Sequence, residues 1–253
     1  MIRGLTLEVE RRLSLSLRHP GHAFRTLVRE LARVDDRRLG AFAGVPDREL
    51  RALRGEPLRV SEFRDHLARR ARALRNVGPL GAALYTNKIA FQYAVIRAAK
   101  PDVVVETGVA NGVSSSYILL ALEQNEKGRL HSIDIGDRAL LPSGADTGWI
   151  VPGWLRHRWT LHLGNARALL PPLLARLGEI DVFIHDSLHT DEHMTFEFET
   201  AYPYLKPGGM LIADDALWNP AFARFANRIG ADRPPIVRGV GYLRAGAAAA
   251  PGR

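Results

Sequence analysis

The sequence contains no cysteine, and this absence excludes several kinds of chemistry from its 253 residues. There are no disulfides, no thiolate metal sites and no cysteine nucleophile, although the compartment is barely constrained by this. No apolar run approaches the ~20 residues that a membrane-spanning helix needs. Residues 1–5 do not begin a secretory signal, since no long apolar segment and no small-residue cleavage site follow. We therefore expect a cytoplasmic protein that does not bind membranes.

Repeats and sizeable low-complexity segments are also missing, apart from a short Ala/Gly-rich tail. Hydrophobic residues make up 46% of the chain and charged residues 25%, as in folded globular proteins. The length suits one α/β domain with a small helical addition. We predict an N-terminal helical cap over residues 1–84, a catalytic domain over 85–245 and a flexible tail over 246–253.

The net charge of +8 is unevenly distributed along the chain. Residues 1–80 contain 18 arginines and 10 acidic residues, whereas the remainder contains 17 basic and 17 acidic residues. This excess is typical either of solvated helix faces or of a surface that attracts nucleic acid or an acidic partner. No aromatic or Gly-rich RNA-binding pattern accompanies the charge, so we favour solvated faces over a nucleic-acid partner.

The N-terminal third has the pattern of short amphipathic helices. Phe63, Leu67, Ala71 and Leu74 recur at helical spacing behind Ser61, which is a suitable N-cap. Punctuating residues interrupt the pattern at Pro20, Gly40, Pro46 and Gly55. A further helix is predicted over residues 87–99, capped by Thr86. We expect these helices to cover one end of a sheet.

From residue 102 onward, short apolar segments alternate with helical ones. Strands are predicted over residues 103–105, 130–134, 159–163, 180–185 and 210–213, and helices over 115–122, 169–177 and 190–205. This alternation predicts a doubly wound α/β fold, a mostly parallel sheet with helices on both faces. Residues 236–243 are β-prone and are expected to pair at the end of the sheet, with a bend at Gly239 or Gly241.

A glycine-rich stretch follows the first strand, at the edge where such sheets bind ligands. Residues 106–115 read Glu-Thr-Gly-Val-Ala-Asn-Gly-Val-Ser-Ser. The glycines allow close backbone approach, and the next helix presents free N–H groups. The alternative is a plain strand-to-helix turn. The Gly-x-Ala-x-Gly spacing does not match the dinucleotide Gly-x-Gly-x-x-Gly pattern, which disfavours an NAD-linked oxidoreductase.

The second and third strands also end in candidate ligand-binding residues. Asp134 lies 26 residues after Gly108, and its carboxylate can accept hydrogen bonds from both hydroxyls of a ribose. A turn or N-cap aspartate is the alternative. Gly164, Asn165 and Ala166 end the third strand and are candidates to line an adenine.

Three carboxylates are expected to meet where the fourth and fifth strands end. Asp186 follows one strand, and Asp214 and Asp215 follow the next. Such carboxylates repel one another, and Mg²⁺, which prefers oxygen ligands, would relieve the repulsion. The alternative is that Asp186 caps a helix while Asp214 and Asp215 form a turn.

Two further features have more than one interpretation. His185, His189 and His193 recur every four residues, but His185 falls on a strand, so a zinc site is disfavoured. Trp149 and Trp154 lie in the long loop of residues 135–157. They either wall an acceptor pocket or pack the loop onto the sheet. Two more candidates to face the acceptor are Trp218 and Asn219.

The glycine-rich stretch, Ile133-Asp134 and Leu163-Gly164-Asn165-Ala166 together resemble class I S-adenosylmethionine methyltransferases, over about residues 85–245. The resemblance implies that the loop residues hold the methionine part of S-adenosylmethionine, Asp134 the ribose, and Asn165 and Ala166 the adenine edge. The implied cofactor-binding set is Glu106, Gly108, Ala110, Gly112, Ser114, Asp134, Gly164, Asn165, Ala166 and Asp186.

The acidic residues resemble those of metal-dependent O-methyltransferases. Catechol O-methyltransferases have Asp-Asn where this chain has Asp214-Asp215. The segment Asp186-Ser187-Leu188-His189 is more similar to the macrolide-sugar enzymes of the macrocin type and their cephalosporin-pathway relatives. That resemblance implies that His189 is a general base and that Asp186, Asp214 and Asp215 bind Mg²⁺. Catechol-type enzymes have Lys at the position of His189, so no catechol substrate is implied.

The expected function is Mg²⁺-dependent methyl transfer from S-adenosylmethionine to a hydroxyl of a small molecule, a sugar or a natural-product intermediate. The chemistry is consistent, since a metal lowers the pKa of a hydroxyl and a neutral imidazole can take its proton. One alternative is an RNA or protein methyltransferase that uses the basic N-terminal third. Another is a non-catalytic binding module. The sequence leaves open the acceptor and a homo-oligomeric state.

Overall fold

The computed structural model describes residues 20–74 and 87–246. The chain before the sheet forms α1 (Pro20–Ala43), α2 (Asp47–Arg54), α3 (Glu56–Arg59), α4 (Ser61–Leu74) and α5 (Asn87–Ala99). Strands and helices then alternate as β1 (Val103–Thr107), α6 (Val113–Gln124), β2 (Arg129–Asp134), β3 (Trp159–Leu163), α7 (Ala166–Leu177), β4 (Ile180–His185), α8 (Asp191–Ala201), β5 (Leu205–Ala213), α9 (Ala221–Arg228), β6 (Ile236–Val237) and β7 (Val240–Arg244).

The seven strands form one sheet in the order β3-β2-β1-β4-β5-β7-β6. Strands β1 to β5 are parallel, while β7 is antiparallel to both β5 and β6. This arrangement confirms the predicted doubly wound, mostly parallel fold. Strand order reverses between β1 and β4, so the carboxyl ends of these two strands flank the crevice where such sheets bind ligands.

Apolar side chains are buried on both faces of the sheet, because the helices on each side cover near-continuous hydrophobic strands. One core joins Leu39, Phe63 and Tyr93 of the N-terminal helices to α6 and to one face of the strands. The other core packs α7, α8 and α9 against the opposite face, with Phe183 and Phe198 fully buried.

The N-terminal helices form an outer layer over α5 and α6 on one face of the sheet. Asp36 of α1 is completely buried and accepts hydrogen bonds from Arg51 and Arg54 of α2, at N–O distances of 2.9 Å each. Arg97 of α5 bonds Glu56 of α3 in the same way, at 2.7 Å. Some of the N-terminal arginines therefore serve to join helices to one another.

Several predicted element boundaries were wrong. The first helix is longer than expected, since α1 runs through Gly40 to Ala43. Helix α8 ends at Ala201, short of the predicted end at residue 205, because a single helical turn over Tyr202–Tyr204 leads directly into β5 at Leu205. Residues 236–243 form a hairpin of two strands with Gly239 in its turn, at φ +84°. The predicted cap Thr86 and the predicted tail from residue 247 lie outside the described residues.

Across residues 20–74 and 87–246, the helices are all too short or too polar to cross a membrane.

Candidate active site

Backbone hydrogen bonds join the carboxyl ends of neighbouring strands. The amide of Gly108 donates to Ile133, the amide of Asp186 donates to Thr107, and the amide of Asp214 donates to His185, each at 2.8 Å. These bonds continue the strand pairing one residue past the sheet. The loops after β1, β2, β4 and β5 are consequently held side by side.

Gly108 is required at the first of these loops. Its φ of +87° belongs to the left-handed region that favours glycine. A Cβ at this position would lie 1.9 Å from the backbone oxygen of Asp186. The absence of a side chain therefore allows the loops after β1 and β4 to touch.

Asp134 holds the glycine-rich loop in place. Its Oδ2 accepts hydrogen bonds from the amides of Val109 and Ala110, at 2.8 and 2.9 Å, and its Oδ1 accepts one from Gly136 at 2.6 Å. A carboxylate has about four acceptor positions, so about one, on Oδ1, remains for a further donor.

A cavity of about 720 Å³ opens at this edge of the sheet, within the usual size of a small-molecule site. Most of the predicted cofactor residues line it: Gly108, Ala110, Ser114, Asp134, Gly164, Asn165, Ala166 and Asp186. The other predicted reaction-site residues, His189, Asp214 and Asp215, line the same cavity. The structure thus brings the two predicted sites together in one space.

Glu106 and Gly112 do not line this cavity, in contrast to the direct ligand contact that the resemblance implies. Glu106 is completely buried, and its carboxylate accepts hydrogen bonds from Ser114, Ser115 and Ser132 at 3.1, 2.6 and 2.8 Å. Burial raises the pKa of Glu106 to about 7, because three neutral hydroxyls compensate only part of the lost hydration. Its position supports the start of α6 from behind.

The reaction-site residues lie close enough to share one ion. One ligand atom each from Asp186, His189 and Asp214 lies within 4.8 Å of the other two. Asp215 is outside this set, but its Oδ2 lies 3.9 Å from Nε2 of His189. Asp215 also has a φ of +48°, which is uncommon for a residue other than glycine. The loop after β5 therefore holds two consecutive aspartates in this corner of the cavity.

Two polar atoms in this corner lack hydrogen-bond partners among the described residues. They are Oδ1 of Asp214 and Nε2 of His189, both inaccessible to solvent. Burying such atoms unpaired costs free energy, so a water, a ligand or an ion in the cavity would stabilise them by supplying the missing contacts. Carboxylate oxygens such as those of Asp186 and Asp214 are the ligands that a hard divalent cation prefers, so these residues fit a metal at this position and leave Nε2 of His189 to act as a base.

Burial and neighbouring charges shift the pKa values of Asp186 and His189. Burial and the adjacent carboxylate of Asp214 raise the pKa of Asp186 well above its ordinary value. Burial also lowers the pKa of His189, with His185 adding to the effect. The imidazole of His189 is accordingly neutral at pH 7 and able to accept a proton.

Lys88, at the start of α5, was missed by sequence reasoning. Its Nζ donates to Oδ2 of Asp214 at 2.6 Å, and its side chain lines the cavity. Burial acts against its charge, but bonding to Asp214 outweighs this and raises the pKa of Lys88. A helix that leads directly into a strand runs antiparallel to it, so its first residues lie near the carboxyl edge of the sheet. The predicted helix over residues 87–99, followed by a predicted strand from residue 103, therefore already indicated that Lys88 lies near the site.

A second missed residue, Glu197 of α8, lies behind the cavity. Its buried carboxylate bonds Nδ1 of His185 at 2.6 Å and Nε2 of His193 at 2.9 Å. It also accepts hydrogen bonds from Thr107 and Ser187, at 2.6 and 2.9 Å. Burial opposes its charge, yet these bonds prevail and lower the pKa of Glu197 to about 2.

This geometry argues against the zinc interpretation of the histidine repeat. His185 and His193 each use a ring nitrogen on Glu197, whereas His189 faces Asp186 and Asp215. The repeat therefore divides between two environments.

The tryptophans of the long loop pack inward. Trp149 and Trp154 lie against the core beneath the N-terminal helices, and Nε1 of Trp149 donates to Asn111 at 2.7 Å. Neither ring lines the cavity. Of the two interpretations, the structure therefore supports the one in which these tryptophans pack the loop onto the sheet. Trp218 and Asn219, the other candidates to face the acceptor, do not line the cavity either. Trp218 is 73% exposed and stacks on His189 with ring centroids 5.9 Å apart. Asn219 donates to the backbone oxygen of His189 at 3.2 Å.

The sheet order, the glycine-rich loop after β1 and the acidic residue after β2 define a class I methyltransferase fold. The family model described as a methyltransferase domain matches residues 105–216. Residues 105–216 thus match a methyltransferase domain, the class that the sequence predicted.

Individual relatives agree with this class. Over 71 residues the chain is 34% identical to demethylmacrocin O-methyltransferase of Streptomyces fradiae, a match that covers 28% of this chain but only 17% of that enzyme. The O-methyltransferase TomG from Streptomyces achromogenes, solved in complex with SAM and involved in tomaymycin synthesis, is 20% identical with a TM-score of 0.54. Its match covers 72% of this chain and 90% of that one.

The SAH-bound methyltransferase PaMTH1 of Podospora anserina is similar at the same level, 15% identical with a TM-score of 0.53. Its match covers 72% of this chain and 88% of that one. At these identities the solved structures establish the fold alone.

Proposed function

We propose that this protein is an S-adenosylmethionine-dependent O-methyltransferase that acts on a small hydroxylated molecule and requires a divalent cation. One observation carries the proposal: most of the predicted cofactor residues and the Asp186–His189–Asp214 cluster line the same cavity. The similarity to demethylmacrocin O-methyltransferase supports a sugar or natural-product acceptor.

In the proposed site, Gly108, Ala110 and Ser114 hold the methionine part of the cofactor. Asp134 holds the ribose, and Gly164, Asn165 and Ala166 line the adenine. The cofactor supplies a methyl group that is already electrophilic. What remains for the protein is to align a hydroxyl oxygen with that methyl group and to remove its proton.

Removal of the proton falls to the acidic corner of the cavity. Asp186, Asp214 and Asp215 would hold Mg²⁺, which makes an acceptor hydroxyl more acidic. Nε2 of His189 is unpaired and neutral at pH 7, so it takes the hydroxyl proton. The stacked ring of Trp218 fixes the imidazole in this orientation.

The test begins with the metal. Turnover with a hydroxylated acceptor should disappear in excess chelator and return with Mg²⁺. Asp186→Ala and His189→Ala should each lower kcat by a factor of about 10² to 10⁴ while the circular dichroism spectrum stays unchanged. Full turnover in chelator would refute the metal requirement. A flat calorimetric titration with S-adenosylhomocysteine would refute the enzyme and favour a non-catalytic module.

Part of the positive charge of the helical layer is neutralised within the chain, which weakens the alternative of an RNA or protein methyltransferase. Arg51, Arg54 and Arg97 pair with acidic groups of the same chain. Nucleic-acid affinity that falls steeply with salt would be the evidence for it.

A further inference from the structure

The acidic corner of the cavity contains a cation of its own. Lys88 reaches Oδ2 of Asp214 at 2.6 Å, and both side chains are largely buried, 27% and 5% exposed. Charge-assisted hydrogen bonds of this length are among the stronger ones in proteins. Lys88 lies in α5, outside residues 105–216, the part of the chain that the methyltransferase family model matches.

The two oxygens of Asp214 have different surroundings. Oδ2 is occupied by Lys88, whereas Oδ1 is buried and has no hydrogen-bond partner among the described residues. Lys88 thereby fixes the rotation of the carboxylate and leaves Oδ1 for the atoms of the cluster. A cation bound at Oδ1 would lie only a few ångströms from the ammonium group, since both oxygens belong to one carboxylate.

We propose that Lys88 is a fixed counter-cation of the site, which positions Asp214 and weakens the affinity of the cluster for a divalent cation. The proposal rests on the metal site of the proposed function. Three carboxylates and one ammonium carry a formal charge of −2, which one divalent cation neutralises completely. Without Lys88 the same ion would meet a charge of −3. At this short separation and low hydration, like charges repel strongly.

The consequence is a site that remains stable without metal. In the metal-free protein, Lys88 offsets the repulsion between Asp186, Asp214 and Asp215, so these loops keep their arrangement. When the metal binds, its attraction to the carboxylates is reduced by the same ammonium charge. We therefore expect a weakly held, readily exchanged cation.

The experiment compares Lys88→Met, Lys88→Arg and the control Lys127→Met. Methionine keeps the length of the side chain without charge, and arginine keeps the charge. Lys127 pairs with Asp102 at 2.9 Å before β1, at the opposite edge of the sheet. Chelator-treated protein is titrated calorimetrically with MgCl₂, without cofactor or acceptor, and folding is checked by circular dichroism.

Lys88→Met should bind Mg²⁺ about tenfold or more tightly than the wild type, because the repulsive charge is gone. Lys88→Arg and Lys127→Met should stay within about threefold of the wild type. The metal-free Lys88→Met protein should also melt at a lower temperature than the wild type, and saturating Mg²⁺ should remove that difference.

The proposal would be overturned if Lys88→Met bound Mg²⁺ as weakly as the wild type or more weakly. A loss of Mg²⁺ affinity in both Lys88→Met and Lys88→Arg would also overturn it. Absence of Mg²⁺ binding in all variants would overturn it as well. Failure of the proposed function is read separately, from S-adenosylhomocysteine binding and methyl transfer by the wild type. A wild type that methylates but whose affinity for Mg²⁺ is unaffected by Lys88→Met would refute only the role of Lys88.

Discussion

At the scale of single residues, two buried glutamates next to the cavity illustrate how neighbours decide charge. Glu106 is surrounded by serine hydroxyls, and burial raises its pKa to about 7. Glu197 is surrounded by two imidazoles and two hydroxyls, and its pKa falls to about 2. Both side chains are completely buried, so the partners and not the burial explain the opposite shifts.

The lowered pKa of Glu197 predicts a pH-dependent stability. Because its folded pKa lies below the ordinary value of 4.5, Glu197 stabilises the fold above about pH 4.5 and loses this contribution as pH falls toward 2. Glu197→Gln should therefore lower the free energy of unfolding by roughly 3 kcal/mol at pH 7. The difference from the wild type should shrink as pH falls from about 4.5 to 2, measured by urea unfolding at several pH values.

Glu199→Gln is the matched control on the same helix. Glu199 pairs with Arg228 at the surface, with both side chains about half exposed. Exposed pairs contribute little, so we expect a change below about 1 kcal/mol. A pH-independent loss in Glu197→Gln, or an equal loss in Glu199→Gln, would contradict the assignment.

At the scale of elements, the site depends on how closely neighbouring loops approach. The loop after β1 touches the loop after β4 at Gly108, where backbone meets backbone. Helix propensity and strand pattern do not report such a contact, since it depends on the position of a strand whose paired residues lie 78 positions further along the chain. The glycine itself was recognised in the sequence, but the contact with Asp186 was visible only in three dimensions.

Gly108→Ala should separate these loops. Left-handed backbone costs an alanine about 1 to 2 kcal/mol, and a Cβ 1.9 Å from the backbone oxygen of Asp186 forces a further shift. We expect a total loss of roughly 3 kcal/mol or more in unfolding free energy, together with weaker S-adenosylhomocysteine binding by calorimetry.

Gly144→Ala separates the cost of a left-handed backbone from the cost of the contact between loops. Gly144 has a similar φ of +77°, but a Cβ there would meet nothing within 4 Å. It should lose only about 1 to 2 kcal/mol and keep its affinity for S-adenosylhomocysteine. If both variants lose the same stability and affinity, the loop contact is unimportant.

At the scale of the whole molecule, the N-terminal helices and the sheet share one hydrophobic core. Residues from α1, α4, α5 and α6 are buried with side chains of β1, β2, β4, β5 and β7. Arg238 and Arg244 of the final hairpin bond Asp35 and the backbone of Phe42 in α1. We therefore expect the helical layer and the sheet to unfold together.

Asp36→Asn tests this coupling. Asp36 is fully buried between Arg51 and Arg54, which are 42% and 20% exposed. Because solvent screens these partly exposed arginines, Asp36→Asn should lower the free energy of unfolding by roughly 2 kcal/mol. Tryptophan fluorescence reports on the sheet domain and circular dichroism on all helices. Both probes should give one coincident urea transition at a lower midpoint.

Asp47→Asn is the control, since Asp47 contacts Arg51 only at the exposed surface, at 3.4 Å. It should change the free energy of unfolding by less than about 1 kcal/mol. An early, separate loss of helix signal in Asp36→Asn would show that the helical layer unfolds on its own.

The sequence by itself determined the alternation of strands and helices and the edge of the sheet that carries the site, and most of the site residues that it predicted do line the cavity. Periodicity and glycine positions are local properties, and residues at the ends of parallel strands must meet at one edge. Only the tertiary structure decided which side chains complete the site. Lys88 and Glu197 come from helices outside the strand-end motifs, while Glu106 turns away from the cavity toward its serines. These outcomes depend on how the helices pack against the sheet. That packing is set by contacts between parts of the chain that are distant in sequence.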